Sequence, residues 1–262
     1  MKKIAIYGKG GIGKSTIASN ISAALAEEGK KVMLIGCDPK RDTTLTLVGR
    51  HLKPLLETIL ENNAVNEEDI IQQGYKGVLC IEIGGPEPGI GCAGRGLILA
   101  FNKLKEIGVF NRQIDLVIYD VPGDVVCGGF AVPMRKGNAR EVYIVTSGEY
   151  LSLFAANNIC KAIRRVGARL GGIICNSREV ENEEKIVEIF AEKIGARIIG
   201  IIPKDNIVQF CESKNKTVVE YMPESNQAKI YRKIARDVFD NTCLLKPSVL
   251  SLDELNALCS QV

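Results

Sequence analysis

The sequence predicts an α/β fold with a single doubly wound, mostly parallel sheet. Short β-branched runs alternate with longer stretches of helical periodicity along the 262 residues. Several of the short runs contain almost no charge, as expected of strands that are buried on both faces. No composition shift, repeat or linker divides the chain, so we expect one domain over residues 1–262, with a C-terminal tail from about 241 to 262.

The hydrophobic pattern places the individual elements. The predicted strands are Lys3–Tyr7, Lys31–Gly36, Val78–Glu82, Leu116–Tyr119, Glu141–Thr146, Leu170–Cys175 and Arg197–Ile202. The predicted helices are Ser15–Glu28, Arg95–Ile107, Tyr150–Val166, Glu183–Lys193 and Gln227–Asp240. Pro247–Val262 contains no Lys or Arg, and we expect a short helix or a tail on the surface there.

Composition and charge limit the partners. Lys plus Arg is 34 and Asp plus Glu is 31, and a net charge of +3 argues against nucleic acid or an anionic membrane as the main partner. No apolar run approaches the roughly 18 residues of a membrane span. Nine cysteines are an odd number, and Lys2-Lys3 leads directly into the first strand without a signal sequence. We therefore expect a reducing, cytoplasmic setting, in which the cysteines are buried fillers or ligands.

A phosphate-binding loop follows the first predicted strand. Gly8-Lys9-Gly10-Gly11-Ile12-Gly13-Lys14-Ser15-Thr16 satisfies G-x-x-x-x-G-K-[ST] and opens a long helix, the setting of a P-loop NTPase. Lys14 is expected to reach the β/γ-phosphates, Ser15 to ligate Mg²⁺, and Thr16 to lie beside them. A plain glycine-rich turn would need neither the lysine nor the hydroxyl. Lys9 resembles the deviant Walker A lysine that reaches the nucleotide of a partner subunit.

Acidic residues follow two of the predicted strands. Asp38 and Asp42 come after Lys31–Gly36, and Asp120 and Asp124 come after the strand that ends at Tyr119. Open α/β sheets bind ligands at the carboxyl ends of their strands. We expect Asp120 to hold Mg²⁺ through water, Asp38 to orient the attacking water or act as base, and the other two to sense the γ-phosphate. Each aspartate alone is also a common turn former or helix cap.

Two cysteines lie among glycines. Cys92 lies within Gly89–Gly96 and Cys127 within Asp124–Phe130, where backbone N–H groups can approach a thiolate or a cluster sulfide. Two thiolates do not complete a four-cysteine site, but two from each subunit of a dimer could hold one [4Fe–4S] cluster. From the spacing alone, structural thiols are the favoured interpretation and the shared cluster is the alternative. Buried, inert thiols are predicted in the apolar elements, at Cys80, Cys160 and Cys175.

Several segments together resemble the nitrogenase iron protein and nitrogenase-like reductase family. They are Gly8–Thr16, Gly36–Asp42, Gly84–Gly96 (GGPEPGIGCAGRG), Asp120–Phe130 (DVPGDVVCGGF) and Asn176 in ICNSR. The resemblance implies a homodimer with one MgATP or MgADP per subunit and one [4Fe–4S] cluster that bridges Cys92 and Cys127 of both chains. It also implies that ATP binding and hydrolysis gate one-electron transfer from a donor such as ferredoxin or flavodoxin to a separate catalytic protein.

The same resemblance assigns further residues. Lys40 joins Asp38 and Asp42 in a first switch segment, and Asp120 and Asp124 belong to a second that leads into Cys127. Contacts to adenine and ribose are implied for Asn176, Pro203, Lys204, Asp205, Gln209, Glu212 and Tyr231. Arg95 matches an exposed arginine beside the cluster that contacts the partner protein and is ADP-ribosylated in some members.

Departures from the family pattern bear on the partner. Arg41 stands where DPKADST has alanine, Pro122 stands where leucine is usual, and Lys204 replaces the arginine of a PRD segment. They favour a nitrogenase-like reductase that serves, for example, tetrapyrrole reduction; a true nitrogenase iron protein is the alternative. A partitioning or cell-division ATPase is a more distant one, since it shares Lys9 and Lys14 but needs no glycine-embedded cysteines.

Overall fold

β-branched segments pair into one eight-stranded sheet in the computed structural model, which describes residues 1–61, 64–85, 92–123 and 128–260. The strands are β1 Lys2–Tyr7, β2 Val32–Gly36, β3 Gln72–Gln73, β4 Leu79–Glu82, β5 Leu116–Asp120, β6 Glu141–Thr146, β7 Arg169–Asn176 and β8 Ile198–Ile202. The helices are α1 Lys14–Glu27, α2 Leu45–Val48, α3 Leu55–Glu61, α4 Glu67–Ile70, α5 Ala93–Glu106, α6 Tyr150–Val166, α7 Glu183–Ile194, α8 Asn206–Glu212, α9 Val218–Tyr221, α10 Asn226–Phe239 and α11 Leu252–Ser260.

The strand order places the ends of the central strands together. The order is β3-β4-β2-β5-β1-β6-β7-β8, and every pair is parallel except β3 with β4. The carboxyl ends of β1, β2, β4 and β5 therefore lie along one edge of the sheet, where open parallel sheets bind their ligands.

Helices cover both faces of this sheet. Alternate residues of β1 point to opposite sides: Ile4 and Ile6 belong to the hydrophobic cluster formed with α1 and α10. Ala5 and Tyr7 belong to the cluster formed with α5, α6 and α7. The predicted doubly wound, mostly parallel α/β fold is confirmed, and each predicted strand and helix forms with ends displaced by about two residues or fewer. None of the helices in the described ranges is long and apolar enough to cross a membrane.

The C-terminal segment differs from the expected surface tail. It forms the predicted short helix, α11, but Leu255 and Leu258 are buried in the α6–α7 side of the core. The side-chain amide of Asn157 donates to the carbonyl of Leu250 and its oxygen accepts from the amide of Leu250, both at 2.9 Å. The segment is held to the core because these leucines cover apolar surface that would otherwise face water.

Candidate functional site

Residues 8–13 form a tight turn between β1 and α1. A side chain on Gly8 would place its Cβ 2.2 Å from the carbonyl oxygen of Val145, so the loop passes directly against β6. Gly13 has φ of 98°, and a Cβ there would lie 2.5 Å from Nδ2 of Asn176. The Asn176 amide donates to the carbonyl of Ile12 at 2.7 Å. The N-terminus of a 14-residue helix thus adjoins a fixed glycine-rich loop, an arrangement that suits a phosphate.

Both loop lysines have partners within the chain. Lys14 is buried, and its ammonium donates to the carbonyl of Lys9 at 3.3 Å. The Lys9 ammonium lies 3.5 Å from a carboxylate oxygen of Glu149, just before α6. Lys14 is therefore directed into the loop, whereas Lys9 lies on its more exposed side.

Asp120 ends β5 beside the loop and is fully buried. Its Oδ2 accepts a hydrogen bond from the Thr43 hydroxyl at 2.6 Å, and its Oδ1 has no hydrogen-bond partner among the described residues. Burial raises the pKa of this carboxyl, although the nearby Lys14 ammonium and the Ser15 hydroxyl oppose that rise. A buried carboxylate oxygen without a partner, beside Ser15, fits a hydrated cation at this position.

The first switch segment lies at the same edge of the sheet. Asp38 accepts a hydrogen bond from the backbone amide of Lys40 at 3.0 Å. Asp38 therefore forms a local turn, which is the common structural role of an aspartate in such a position. Its charge also raises the pKa of Asp120. Asp42 lines a cavity of about 220 Å³ together with Ser15 and Thr16. Asp42 thus lines one cavity with Ser15, and Asp120 lies beside Ser15, whereas Lys40 is exposed outside the cavity lining.

Glu82 is a site residue that sequence reasoning missed. It ends β4, it is 1% exposed, and its Oε1 accepts from both the amide and the hydroxyl of Thr44, at 2.7 and 2.8 Å. Burial raises the pKa of Glu82 to about 7, against the effect of these hydrogen bonds. The signal was available, because Glu82 follows a hydrophobic strand just as Asp120 ends β5.

A second cavity, of about 230 Å³, adjoins the loop. Every residue expected to contact adenine and ribose lines it: Asn176, Pro203, Lys204, Asp205, Gln209, Glu212 and Tyr231. Thr16 and Glu212 line both cavities, and the Thr16 hydroxyl donates to Glu212 at 2.6 Å. The phosphate loop and the expected base pocket are therefore continuous.

Gln227 and Arg178 also line the second cavity, although the sequence did not predict them as site residues. The Gln227 amide donates to the carbonyl of Pro203 at 3.2 Å, and the Arg178 guanidinium donates to the carbonyl of Gly11. The buried carboxylate of Glu183 fixes the loop that contains Arg178. It accepts hydrogen bonds from the amides of Gly148, Arg178 and Glu179 and from the hydroxyl of Ser177.

Close backbone contacts between glycines surround the region of Cys92. Cys92 is exposed at the N-terminus of α5, where helix amides favour a negatively charged thiolate. A side chain on Gly129 would place its Cβ 2.2 Å from Cα of Gly94. A side chain on Gly123 would lie 2.8 Å from the backbone nitrogen of Gly10. The predicted residues Asp124 and Cys127 lie outside the described residues, but the chain on either side of them contacts the phosphate loop and the Cys92 helix.

Three other described cysteines lie within regular elements, Cys80 in β4, Cys160 in α6 and Cys175 in β7. Cys80, Cys160 and Cys175 are buried as predicted, and burial raises the pKa of the Cys160 thiol to about 12. Arg95 is exposed on α5, one turn from Cys92. The backbone contact of Gly94 with Gly129, beside the exposed Cys92, fits a cluster for which this chain supplies part of the ligand set and a second copy supplies the rest.

A family model for "4Fe-4S iron sulfur cluster binding proteins, NifH/frxC family" matches residues 2–262. The chain belongs to this family. Members are ATP-hydrolysing iron–sulfur reductases, so the protein uses MgATP and a bridging [4Fe–4S] cluster, acts as a homodimer and donates electrons to a catalytic partner. The residues described above fit both groups.

Curated relatives of this NifH/frxC chain have closely similar lengths. It is 56% identical over 254 residues to "Nitrogenase iron protein 2" of Methanothermobacter thermautotrophicus, covering 97% of this chain and 96% of that one. It is 52% identical over 267 residues to "Nitrogenase iron protein" of Methanospirillum hungatei, covering 98% and 95%.

Solved structures show the same fold in distant proteins. The septum site-determining protein MinD of Pyrococcus horikoshii, complexed with Mg-ADP, has a TM-score of 0.74 at 24% identity, with 90% of this chain and 95% of that chain covered. The cell division ATPase MinD of Pyrococcus furiosus has a TM-score of 0.73 at 22% identity, covering 90% and 98%. The likeness at this identity concerns the fold alone.

Proposed function

We propose that the chain works in the cytoplasm as the ATP-dependent electron donor of a nitrogenase-like enzyme, with Cys92 and Cys127 of two copies holding one [4Fe–4S] cluster. The observation that carries this proposal is the pair of backbone contacts on either side of residues 124–127. Gly123 lies against Gly10 of the phosphate loop, and Gly129 lies against Gly94 of the Cys92 helix. One short segment therefore connects the nucleotide site to the cluster site.

The phosphate loop provides the nucleotide chemistry. Gly8–Thr16 would surround the phosphates, Lys14 would neutralise charge on the β/γ-phosphates, and Ser15 and Asp120 would hold Mg²⁺, Asp120 through water. Asp38 orients the attacking water. Lys9 leaves its ion pair with Glu149 and binds the nucleotide of the second copy. The cavity around Asn176 and Tyr231 receives the base and ribose.

Coupling uses the short distance along the chain from Asp124 to Cys127. Asp124 senses the γ-phosphate, and its movement on hydrolysis displaces Cys127 three residues later. The bound cluster supplies a one-electron carrier. If coupling shifts its potential by on the order of 100 mV, the energy is roughly 2 kcal/mol, well within what nucleotide binding supplies.

The exposed face of α5 is the proposed docking surface for the catalytic partner. Arg95, Ile98 and Leu99 are spaced three and four residues apart, so they share one face, and all three are exposed. An arginine beside apolar side chains is a common composition for a protein interface. The surface begins one turn from Cys92, which places an incoming partner next to the cluster.

The favoured partner is a nitrogenase-like catalytic protein such as a tetrapyrrole reductase. Two of the departures from the nitrogenase pattern have their own interactions: Arg41 pairs with Glu57 at 3.3 Å, and Lys204 pairs with Glu179 at 2.7 Å. A nitrogenase partner is the second candidate, because the relatives at 52–56% identity carry that name. Electron transfer from the ferredoxin- or flavodoxin-reduced protein to each kind of catalytic component distinguishes them; transfer to dinitrogenase alone would overturn the favoured partner.

The cluster assignment is tested by cysteine replacement. Cys92→Ser and Cys127→Ser should each remove iron and the cluster's EPR signal while MgATP binding persists. Cys243→Ser is the matched control, since Cys243 is also exposed and lies in no glycine-rich segment. Full iron content in both ligand variants would refute the assignment. Lys14→Gln should keep the cluster and lose nucleotide-dependent electron transfer.

A further inference from the structure

The buried ends of β4 and β5 are held by Thr43 and Thr44, which directly follow the first switch segment, Asp38–Asp42. Thr43 donates to Asp120 at 2.6 Å, and Thr44 donates to Glu82 at 2.7 and 2.8 Å. Gly36 of β2 lies between the two carboxylates, since it is in register with both Glu82 and Asp120. One short segment thus contacts the expected Mg²⁺ residue and the last residue of β4 at once.

Glycine at position 36 makes room for this arrangement. A side chain there would place its Cβ 2.1 Å from Oε2 of Glu82 and 2.8 Å from Cβ of Thr43. Oε2 of Glu82 has no hydrogen-bond partner among the described residues. Within the described ranges, the hydrogen bonds that hold this buried carboxylate therefore come from Thr44, and releasing Thr44 would leave the carboxylate unsatisfied by these residues.

The chain after Glu82 contacts the switch segment a second time. Ile83, directly after β4, donates its amide to the carbonyl of Gly36 at 2.8 Å, and Cys92 follows nine residues later in the sequence. A side chain on Gly85 would place its Cβ 2.7 Å from Cβ of Pro39, which lies between Asp38 and Lys40. Residues 82–85 therefore contact residues 39–44 at two points. Glu82 meets Thr44 in the interior, and Gly85 meets Pro39 nearer the surface.

We propose that Glu82 is a positioning residue that transmits the state of the nucleotide site from Thr44, through residues 82–85, to the loop that carries Cys92. This inference rests on the proposed function and adds a second connection to the one between Asp124 and Cys127. Each proposed cluster ligand then has its own link to the nucleotide: Cys127 through the second switch segment and Cys92 through the first.

The test compares Thr44→Val with Thr44→Ser in the cluster-loaded dimer. Valine keeps the shape but removes the hydroxyl that donates to Glu82, whereas serine keeps it. Hydrogen–deuterium exchange with and without saturating MgATP reports on residues 82–92 and, separately, on residues 120–130. A second readout is the acceleration by MgATP of iron removal by a chelator. Thermal melting establishes that each variant is folded, and Glu82→Gln, which weakens the same hydrogen bonds by removing the charge, provides an independent variant.

In the wild type, MgATP should change exchange in both segments. In Thr44→Val the response of residues 82–92 should disappear while that of 120–130 remains, and the acceleration of iron removal should fall about tenfold, the equivalent of one hydrogen bond to a charged group. Thr44→Ser should respond as the wild type does. A full response of residues 82–92 in both Thr44→Val and Glu82→Gln would overturn this inference alone. No MgATP response of either segment in the wild type would overturn the proposed function, and this inference with it.

Discussion

Gly129 lies so close to Gly94 that a methyl group on it would sit 2.2 Å from the Gly94 Cα. Each glycine is two residues beyond one of the proposed cluster ligands. Backbone contact at this distance excludes every side chain, so the relative position of the two ligand segments depends on both glycines.

We expect Gly129→Ala to lose most of its iron while still binding MgATP. The added methyl group must separate the two segments, and overpacking of this kind costs about 1–3 kcal/mol. Iron content and nucleotide affinity measure the two effects separately. Gly128→Ala is the control, since the one described atom that a side chain there would meet is the end of Arg135, at 3.4 Å. Equal iron retention by both variants would show that the Gly94–Gly129 contact does not position the ligands.

Asp120→Asn should weaken the use of Mg²⁺ in ATP hydrolysis. Asn keeps the size of the side chain but removes the charge that faces a metal-bound water, and such outer-shell changes reduce metal affinity or activity by about 10–100-fold. The measurement is the hydrolysis rate as a function of Mg²⁺ concentration. Asp115→Asn is the control, because Asp115 directly precedes the first residue of β5, at the end of the strand away from Asp120. This variant should behave as the wild type. An unchanged Mg²⁺ dependence in Asp120→Asn would remove Asp120 from the metal site.

Glu183→Gln should destabilise the protein in a pH-dependent way. Burial opposes ionisation of Glu183, but the hydrogen bonds it accepts from the Ser177 hydroxyl and three backbone amides outweigh burial and lower its pKa. A lowered pKa in the folded state gives stability that is present above the ordinary glutamate pKa and is lost as pH falls through the folded-state value. We expect a loss of about 2 kcal/mol near neutral pH.

Denaturant unfolding at a series of pH values checks this expectation. The difference between Glu183→Gln and wild type should shrink as the solution becomes acidic, and the variant should also bind ATP more weakly because the Arg178 loop borders the base cavity. Glu184→Gln, at an exposed neighbouring position, is the control. A pH-independent difference would mean that the carboxylate charge is not what matters.

Glu149→Gln should modestly favour the ATP-bound dimer, which we expect to be more compact than the nucleotide-free dimer because Lys9 then reaches the second copy. Lys9 must leave Glu149 before it can reach the second copy, and an exposed ion pair of this kind contributes less than about 1 kcal/mol. The apparent affinity for MgATP in a compaction assay by small-angle scattering should rise by less than about fivefold. Glu106→Gln breaks an exposed pair with Lys103 at 2.7 Å on α5 and should have no effect. Weaker compaction in Glu149→Gln would contradict this role for Lys9.

The sequence predicted secondary structure best where a long hydrophobic period is bounded by clear turn or capping residues. Long elements such as α6, Tyr150–Val166, were predicted to the residue, because apolar spacing over several turns is unambiguous. Short elements such as α2, Leu45–Val48, and the antiparallel β3 were not predicted, because four residues or fewer contain no full period. The buried leucines of α11 were missed for a related reason: the absence of Lys and Arg describes composition, whereas burial depends on the surface that receives the helix.

Site residues divide in the same manner. The motif predicted Ser15 and the end of a strand predicted Asp120, and the structure places the two side by side. The resemblance predicted residues that line the second cavity, and their role in binding the base stays a prediction. Glu82 and Glu183 were missed because their roles depend on which backbone groups the fold brings to them. Glu183 accepts an amide of Gly148, 35 residues away, and no local pattern records that contact.

The position of β1 determines when the nucleotide site can exist during synthesis. β1 is made first but pairs with β5 and β6, which end at residues 120 and 146. The base cavity also needs Tyr231, near the end of the chain. Pairings of such long sequence separation form late and slowly. On a ribosome-bound chain, β1 therefore lacks its neighbouring strands until residues up to 146 have emerged, and we expect ATP binding to require a chain whose translation is nearly complete.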